Sequence, residues 1–262
     1  MLGFLSKSVE KSHLRRRTSA PPGKRAYAIG DVHGRLDLLE DILRQIERDI
    51  TKRPTKSNHI IFLGDLIDRG PSSRGVIEKV INYKPDNIKC HFIMGNHEEV
   101  LLRGLRGEPT HLVGWLKHGG DATAESYGID QAYLRRQGTE ALEHALLSAI
   151  PDRHLAFMAG FLDRIQFGDY LMVHAGVRPG TPITEQHPSD LRWIRRDFLD
   201  SKVDHGLVVV HGHTVEPKIS NQSNRIGIDT GAYKTGVLTA VRLEGEDVCF
   251  LQACQYCDAD QF

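Results

Sequence analysis

The sequence predicts an α/β fold in which parallel strands alternate with crossover helices. Short apolar runs at residues 26–29, 60–63 and 90–94 are typical of buried strands. Between them, residues 36–50 and 72–83 carry apolar side chains at the spacing of an amphipathic helix. This β-α-β-α-β order favours a parallel sheet, because a helix that crosses the sheet face returns the chain to its starting edge.

The middle of the chain, residues 101–160, is richer in helical segments and loop signals than its surroundings. We interpret it as a helical insertion that covers the strand ends, and not as a separate domain. After it the sequence turns largely to strand, interrupted by one helical stretch at residues 188–199. The later strands are predicted at residues 161–167, 170–174, 207–211, 226–229, 236–243 and 248–253.

The two ends of the chain differ from this regular pattern. Residues 1–24 are rich in Ser and Arg, and nothing in them could form a packed face. We therefore expect a disordered basic tail at residues 1–24, a single domain at residues 25–253 and a short tail at residues 254–262.

The overall composition limits the possible partners and compartment. The 34 basic and 34 acidic residues balance to a net charge of zero, which argues against a chain-wide surface for nucleic acid. No apolar run is long enough to span a bilayer, and the apolar start of the chain is too short for a signal peptide. Four cysteines are too few for a disulfide framework. We expect a cytoplasmic protein without a membrane or nucleic-acid partner.

Polar side chains follow each of the first three predicted strands. Asp31 and His33 lie in a loop flanked by glycines, Asp65 follows the second strand, and Asn96 follows the third. The carboxyl ends of parallel strands meet at one edge of the sheet, where ligands bind in open α/β folds. The sequence therefore predicts that these side chains converge.

Two histidines that follow later apolar runs, His174 and His213, complete a set of six oxygen and imidazole donors. Such a set is what a pair of divalent cations needs, with one carboxylate shared between them. Because no cysteine belongs to it, a closed structural zinc site is disfavoured. The predicted metal ligands are Asp31, His33, Asp65, Asn96, His174 and His213.

From residue 26 to about residue 245 the chain resembles the phosphoprotein phosphatase family of metallophosphoesterases, and in particular its compact bacterial members. The resemblance rests on the order and spacing of five motifs: Gly-Asp-Val-His-Gly at 30–34, Gly-Asp-Leu-Ile-Asp-Arg-Gly at 64–70, Gly-Asn-His-Glu at 95–98, His-Ala-Gly at 174–176 and Gly-His at 212–213. It implies an α/β/β/α sandwich of two mixed sheets, with a dinuclear metal centre between the sheets.

The resemblance also assigns the ligands to the two metals. It gives Asp31 and His33 to one metal, Asp65 to both, and Asn96, His174 and His213 to the other. His211 departs from the residue that the family usually has two positions before the last ligand, and we interpret it chiefly as a core residue. Manganese is the expected metal, with iron or zinc as alternatives that suit the same mixed donor set.

The expected reaction is in-line attack on phosphorus by a metal-bridging hydroxide. The departing alkoxide needs a proton, and His97, next to the ligand Asn96, is placed to give it. Asp68 resembles the family's orienting partner for this histidine. Phosphate favours a bidentate guanidinium. Arg69 matches the family's arginine, and Arg195 is a second candidate.

Some assignments stay open at the level of sequence. Arg192 and Arg196 are close enough to Arg195 to leave that choice open. Tyr233 falls in a turn that could face the site or serve only as structure. Both tryptophans, Trp115 and Trp193, are interpreted as packing residues.

The favoured activity is that of a serine/threonine protein phosphatase, because the chain retains both Asp68 and Glu98. The main alternative is a hydrolase of dinucleoside tetraphosphates or similar small polyphosphates. A non-catalytic phosphate-binding module on the same scaffold is a third hypothesis, although no predicted ligand or proton donor is missing. The expected partner is accordingly a phosphoprotein or a small phosphoester.

Overall fold

Two five-stranded mixed sheets form the middle of the computed structural model, which describes residues 18–134, 136 and 138–255. The first sheet contains β1 (Lys24–Ile29), β2 (Ser57–Phe62), β3 (Ile88–Phe92), β9 (Val237–Glu244) and β10 (Asp247–Cys254), in the order β10-β9-β1-β2-β3. The second contains β4 (Arg164–Phe167), β5 (Tyr170–Val173), β6 (Val208–His211), β7 (Ser220–Asn221) and β8 (Arg225–Gly227), in the order β4-β5-β6-β8-β7.

Helices cover the outer faces of both sheets. They are α1 (Leu36–Lys52), α2 (Ser73–Asn82), α3 (Asn96–Gly104), α4 (Thr110–Trp115), α5 (Asp121–Ser126), α6 (Gln131–Leu134), α7 (Thr139–Ala149), α8 (Asp152–Ala159), α9 (Pro188–Trp193), α10 (Arg196–Leu199) and α11 (Ala232–Thr235). An irregular turn, Leu116–Gly120, joins α4 to α5.

The strands that lead to the predicted site run in the same direction within each sheet. In the first sheet, β1 pairs in parallel with β2, and β2 with β3. In the second sheet, β5 pairs in parallel with β6, and β6 with β8. Their carboxyl ends therefore lie along one edge of each sheet, which is where the predicted ligands follow.

Alternation along β1 explains the layered core. Ala26 and Ala28 face the second sheet, in a core that also contains Met172 and Val210. Tyr27 and Ile29 point to the opposite face and lie in the core beneath α1 and α2. Because successive side chains of a strand point to opposite faces, a strand with both faces buried must be apolar throughout.

A third core lies on the outer face of the second sheet. Leu191, Ile194 and Phe198 pack there against Val173 and Val209. These three residues anchor α9 and α10, so the short helices are fixed although each has only one or two turns.

The α/β/β/α sandwich of two mixed sheets predicted from the sequence is confirmed. The insertion joins the fold in two places. Its apolar side chains, including Leu112 and Leu146, belong to the same core as α1 and α2. The turn before α5 reaches the strand edge, where the backbone N–H of Arg69 donates to the carbonyl oxygen of Gly119.

One predicted element is wrong in detail. The helix expected at residues 188–199 is broken, because Ile194 is extended (φ −60°, ψ 143°) and Arg195 lies outside the helical region (φ −129°, ψ −104°). The break lets Leu191, Ile194 and Phe198 all reach the core, and it turns the intervening side chains outward.

The predicted N-terminal tail falls partly outside the described residues, since description begins at residue 18. Within the described part, the backbone of Ser19 exchanges hydrogen bonds with Asp169, and Ala20 is buried and donates to the carbonyl oxygen of Gly245. The predicted division into tails and one domain stays a prediction. Within the described residues, none of the helices has the length and apolar character needed to cross a bilayer.

A cluster of polar side chains ties α1 to the first sheet. The hydroxyl of Tyr27 donates to Asp49 at 2.7 Å, and the guanidinium of Arg242 donates to both oxygens of Asp49 at 3.1 Å. Partial burial raises the pKa of Asp49, but these hydrogen bonds outweigh burial and leave the pKa below its ordinary value. The carboxylate therefore contributes stability when it is ionised.

We expect Asp49→Asn to lower the free energy of unfolding at pH 7 by about 1–3 kcal/mol, because charge-assisted hydrogen bonds are lost. A lowered folded-state pKa contributes stability above the unfolded pKa, and that contribution is lost as the pH falls through the folded value. The difference between the variant and the wild type should therefore shrink below pH of about 4. Urea denaturation at pH 7 and pH 3 measures it. Asp41→Asn, a change to a half-exposed carboxylate on the same helix, is the matched control. A difference that stays constant with pH would contradict the account.

Candidate active site

The predicted ligands lie together where the strand ends of the two sheets meet. Asp31 and His33 follow β1, Asp65 follows β2, and Asn96 begins α3 after β3. From the second sheet, His174 follows β5 directly, and a separate loop after β6 carries His213. All six side chains are buried: Asp31, His33, Asp65, Asn96, His174 and His213.

Backbone strain is concentrated at this edge. Among the described residues, six that are not glycine have a positive φ: His33, Asp65, Asp68, Arg69, Asn87 and His213. Five of these belong to the predicted site. A left-handed backbone is unfavourable for residues with a Cβ and persists only where the surrounding structure enforces it. The clustering therefore points to a functional edge.

Two glycines allow the loops to approach each other closely. A Cβ on Gly95 would overlap the carboxylate and the backbone nitrogen of Asp65, and one on Gly212 would overlap the carboxylate of Asp31. The sequence needs glycine at both positions because a loop backbone from one strand lies directly against a carboxylate from another.

Asp65 stands at the centre of the histidines. Its Oδ2 lies 3.5 Å from Nε2 of His33, and its Oδ1 lies 3.4 Å from Nε2 of His174. Two groups with donor atoms within 4.8 Å of one another share it: one with His33 and His97, the other with His174 and His213. Burial raises the pKa of Asp65, but the facing imidazoles, His174 foremost, lower it well below its ordinary value.

Asn96 lies beside the group formed by Asp65, His174 and His213. Its Oδ1 lies 2.9 Å from Nε2 of His174 and 2.8 Å from Nδ1 of His213. The two imidazoles are themselves 3.2 Å apart, between Nε2 of His174 and Nδ1 of His213. An amide oxygen, a carboxylate and two imidazoles thus face one small volume.

The histidines are held in the form that binds metal. Nδ1 of His33 and Nδ1 of His174 each donate to a carbonyl oxygen at 2.8 Å, on Ile67 and Leu63 respectively. In this tautomer the lone pair on Nε2 faces the site. Burial lowers the pKa of His33 to about 3 and also lowers the pKa of His174, so both rings stay neutral.

Carboxylates are crowded on the other side of the site. Burial raises the pKa of Asp31 well above its ordinary value, and the charges of Asp229 and Asp65 raise it further. Burial raises the pKa of Asp229 to about 6. Oδ2 of Asp229 and Nε2 of His213 are buried without a hydrogen-bond partner among the described residues.

This donor set fits divalent cations. Buried carboxylates and unpaired buried polar atoms are unfavourable unless an opposite charge or a ligand satisfies them. Two positive ions among Asp31, Asp65 and the neutral imidazoles would remove the like-charge repulsion. Oxygen and imidazole donors suit manganese, iron and zinc.

His97 has the orientation expected of a proton donor. Its Nδ1 lies 2.6 Å from Oδ2 of Asp68, and the hydroxyl of Thr123 donates to Oδ1 of Asp68 at 2.6 Å. Its Nε2 faces Asp65 at 3.8 Å. Burial lowers the pKa of His97, but the charge of Asp65 and the hydrogen bond to Asp68 outweigh burial and raise it to about 9.

The carboxylate of Glu98 binds backbone groups of the loops and does not face the open site. Its carboxylate accepts backbone N–H groups from Asp65 at 3.0 Å, Leu66 at 2.7 Å and Gly95 at 3.1 Å. Burial and the charge of Asp65 raise the pKa of Glu98 to about 7. The glutamate therefore joins the loops that follow β2 and β3.

The side chain of Arg69 lies in the middle of the candidate site. Its guanidinium lies 2.9 Å from Nε2 of His33 and 3.0 Å from Nε2 of His97, and it stacks 4.7 Å above the ring of Tyr233. Tyr233 also meets the ring of His33 edge-on at 5.3 Å. Tyr233 thus faces the site, which the sequence had left undecided.

The sequence left open which of three arginines, Arg192, Arg195 or Arg196, would bind phosphate. Their contacts narrow this choice. Arg192 pairs with Glu99 and Asp163. Arg195 approaches the hydroxyl of Thr214 at 3.5 Å, next to His213. Arg195 is therefore the arginine of this segment that lies beside the predicted ligands.

Sequence reasoning missed several features of the site. Asp229 follows β8 in the same way as the predicted ligands follow their strands, and that rule could have found it. Thr123 lies 55 positions from Asp68, and no local pattern links them. Trp193 was interpreted as packing but is 43% exposed, whereas Trp115 is buried as expected. His211 is buried against Phe198 as a core residue.

The fold and the site together define a metallophosphoesterase. The model of the calcineurin-like phosphoesterase family matches residues 24–237, and the chain belongs to this family. It is 34% identical to the bis(5'-nucleosyl)-tetraphosphatase PrpE [asymmetrical] of Anoxybacillus flavithermus over 229 residues, which cover 82% of this chain and 88% of the relative.

Two further proteins are similar to this chain, one in sequence and one in fold. The chain is 29% identical over 249 residues to the PrpE enzyme of Oceanobacillus iheyensis, covering 89% of this chain and 94% of the relative. A crystal structure described as a candidate diadenosine tetraphosphatase shares the fold with a TM-score of 0.62 and 19% identity, covering 90% of this chain and 98% of that one.

Proposed function

We propose that this protein hydrolyses bis(5'-nucleosyl) tetraphosphates asymmetrically, into a nucleoside triphosphate and a nucleoside monophosphate. The observation that carries the proposal is the similarity to PrpE enzymes of this name, which reaches 34% identity across most of both chains. In support, Asp65 lies with His33 and His97 in one group of possible metal donors and with His174 and His213 in another, and all five side chains are buried.

The proposed ligands of two divalent cations are Asp31, His33, Asp65, Asn96, His174 and His213, with Asp65 shared between the ions. Manganese is our first choice, and iron or zinc would suit the same donors. When bound, the two ions supply Lewis acidity toward the phosphoryl oxygens and a water that ionises near neutral pH.

The chain's own residues would position the substrate and supply the proton. Arg69 lies beside His33 and His97, close enough to hold a phosphoryl oxygen with its planar guanidinium. Arg195, next to Thr214, would hold a second oxygen from the side of the second sheet. We assign both arginines to phosphate binding.

His97 would give its proton to the leaving oxygen from Nε2, while Asp68 holds Nδ1. In the structure Nε2 of His97 lies 3.0 Å from the guanidinium of Arg69. A guanidinium donor at this distance opposes a proton on Nε2 and so works against the raised pKa of His97, which means that Arg69 would have to turn away for Nε2 to hold the proton. Binding of phosphate by Arg69 would therefore favour the protonated, acid form of His97.

Grooves on both sides of the site suit a long substrate. A groove of about 560 Å³ is bordered by Arg69 and Tyr233, and another of about 510 Å³ by Trp193 and Arg195. A dinucleoside tetraphosphate bound across the centre extends in both directions from the reacting phosphate. A larger cavity of about 720 Å³, bordered by Lys202 and Asn224, includes none of the proposed ligands.

A serine/threonine phosphatase activity remains the second candidate. The reason for favouring it was the retention of Asp68 and Glu98. Glu98 accepts loop N–H groups, and Asp68 orients His97, so an enzyme of either substrate class would need both. Their retention does not distinguish the two activities. A non-catalytic phosphate-binding module is disfavoured because the proton donor and the donor set are complete.

The proposed function is tested by comparing substrates with the manganese-loaded protein. We expect the highest kcat/KM with diadenosine tetraphosphate, and products of ATP and AMP in equal amounts by chromatography. A phosphoserine peptide and a bis-aryl phosphate serve as comparisons for the monoesterase and diesterase activities. A peptide that is turned over more efficiently than the tetraphosphate would contradict the proposal, and so would two equivalents of ADP.

The role of His97 is tested by His97→Asn with leaving groups of different basicity. We expect kcat to fall about 10²–10⁴-fold with an alkyl phosphate, whose leaving oxygen needs a proton. The loss should be smaller with p-nitrophenyl phosphate, which leaves readily as an anion. His91→Asn, on β3 away from the proposed ligands, is the matched control. An equal loss with both substrates would exclude the role of general acid.

A further inference from the structure

Trp193 is an exposed aromatic side chain that packing does not explain. Among the described residues, two large aromatic side chains are exposed, Tyr133 at 45% and Trp193 at 43%. Trp193 is the one beside the site, with its ring centroid 6.5 Å from that of His213. An indole left in water next to a polar site carries a hydrophobic cost that a bound ligand would remove.

The indole is held in one orientation although it is exposed. Its Nε1–H donates to Glu99 at 2.7 Å, and Glu99 in turn pairs with Arg192 at 3.1 Å. The neighbouring Leu191 and Ile194 are buried and fix the backbone on both sides. A ring that is already oriented loses little freedom when a ligand stacks on it.

The groove that Trp193 borders also contains guanidinium groups. Arg178 is paired with Asp190 at 2.6 Å and with Asp197 at 3.3 Å. Arg196 borders the same groove and has no ion-pair partner within the described part of the chain. The volume of about 510 Å³ is within the range of small-molecule sites.

An aromatic face is suited to a nucleotide when it lies beside guanidinium groups such as those of Arg195 and Arg196, for which the described residues offer no ion pair. Bases stack on aromatic side chains irrespective of their identity, and phosphates bind guanidinium groups. Because Arg195 borders the same groove, a phosphate that it holds at the centre would have its nucleoside within reach of the indole.

We propose that Trp193 is the stacking platform for a nucleobase of the substrate, and that its groove is a nucleoside subsite. This inference rests on the proposed function for its substrate class. It adds the residue that would distinguish nucleotides from other phosphoesters, and it places one nucleoside on the side of the second sheet.

Binding is tested on the metal-loaded full chain by tryptophan fluorescence, with AMP as the probe and ribose 5-phosphate as its base-free counterpart. Trp115 is 2% exposed, so quenching by a stacked base reports on Trp193. We expect AMP to quench the emission and ribose 5-phosphate to leave it unchanged. Trp193→Phe should abolish the quenching. Equal responses to the two probes would overturn the proposal.

Selectivity is tested with Trp193→Leu, by the ratio of kcat/KM for diadenosine tetraphosphate to that for glycerol phosphate. We expect the ratio to fall about tenfold, mainly through the KM of the tetraphosphate, because stacking is lost. Trp193→Phe should retain most of the ratio, and Tyr133→Leu, which removes the other exposed ring, should retain all of it. An unchanged ratio in Trp193→Leu would overturn the proposal.

The outcomes separate this inference from the proposed function. Wild-type protein that fails to cleave the tetraphosphate would contradict the proposed function, and the AMP titration would then decide the stacking by itself. Cleavage of the tetraphosphate with a ratio independent of Trp193 would contradict only the stacking. A loss of phosphopeptide turnover in Trp193→Leu without a loss for the tetraphosphate would assign the ring to peptide binding and overturn the inference.

Discussion

The structure depends on holding several buried carboxylates within a few ångströms of one another. Asp31, Asp65 and Asp229 are almost inaccessible to solvent, and burial with mutual repulsion raises the pKa of Asp31 and Asp229. Such a cluster is unfavourable in a protein interior unless positive charge compensates it. Divalent cations would provide that charge, and the neutral imidazole nitrogens that face the site would provide the remaining donors. The loops around the site can be understood as a frame for this arrangement.

The loops around the site have strained backbones, and specific hydrogen bonds hold them in place. Asp65 and His213 have left-handed backbones, and Gly95 and Gly212 allow neighbouring loops to touch the carboxylates. Glu98 accepts N–H groups from loops of two strands and so connects them. Each loop is attached to a strand of a buried sheet. The rigid core therefore fixes the position of the loop before a ligand binds.

Much of this could be predicted from the sequence. Apolar runs followed by polar residues placed Asp31, Asp65 and Asn96 at strand ends, and the parallel arrangement of the strands made their convergence predictable. Asp229 escaped because the strand predicted at residues 226–229 included it, whereas β8 ends at Gly227 and leaves Asp229 in the turn after the strand. Trp193 escaped because it is the last residue before a helix break, and the side to which it points depends on backbone angles that a hydrophobic pattern does not encode.

The substrate class was harder to predict than the reaction. The motifs report on metal binding, proton transfer and loop geometry, which enzymes of either substrate class share. Residues that would determine substrate specificity lie outside the motifs, on surfaces such as the groove around Trp193 and Arg195. Their role depends on where the fold places them, which the resemblance to a family does not specify.

The dependence on divalent cations is tested most directly by metal analysis of the full-length protein after dialysis against manganese. The account predicts two ions per chain, a melting temperature that rises with bound metal, and a loss of both effects in Asp65→Asn. Wild-type protein that retains no ion, or an Asp65→Asn variant that still binds two, would contradict it.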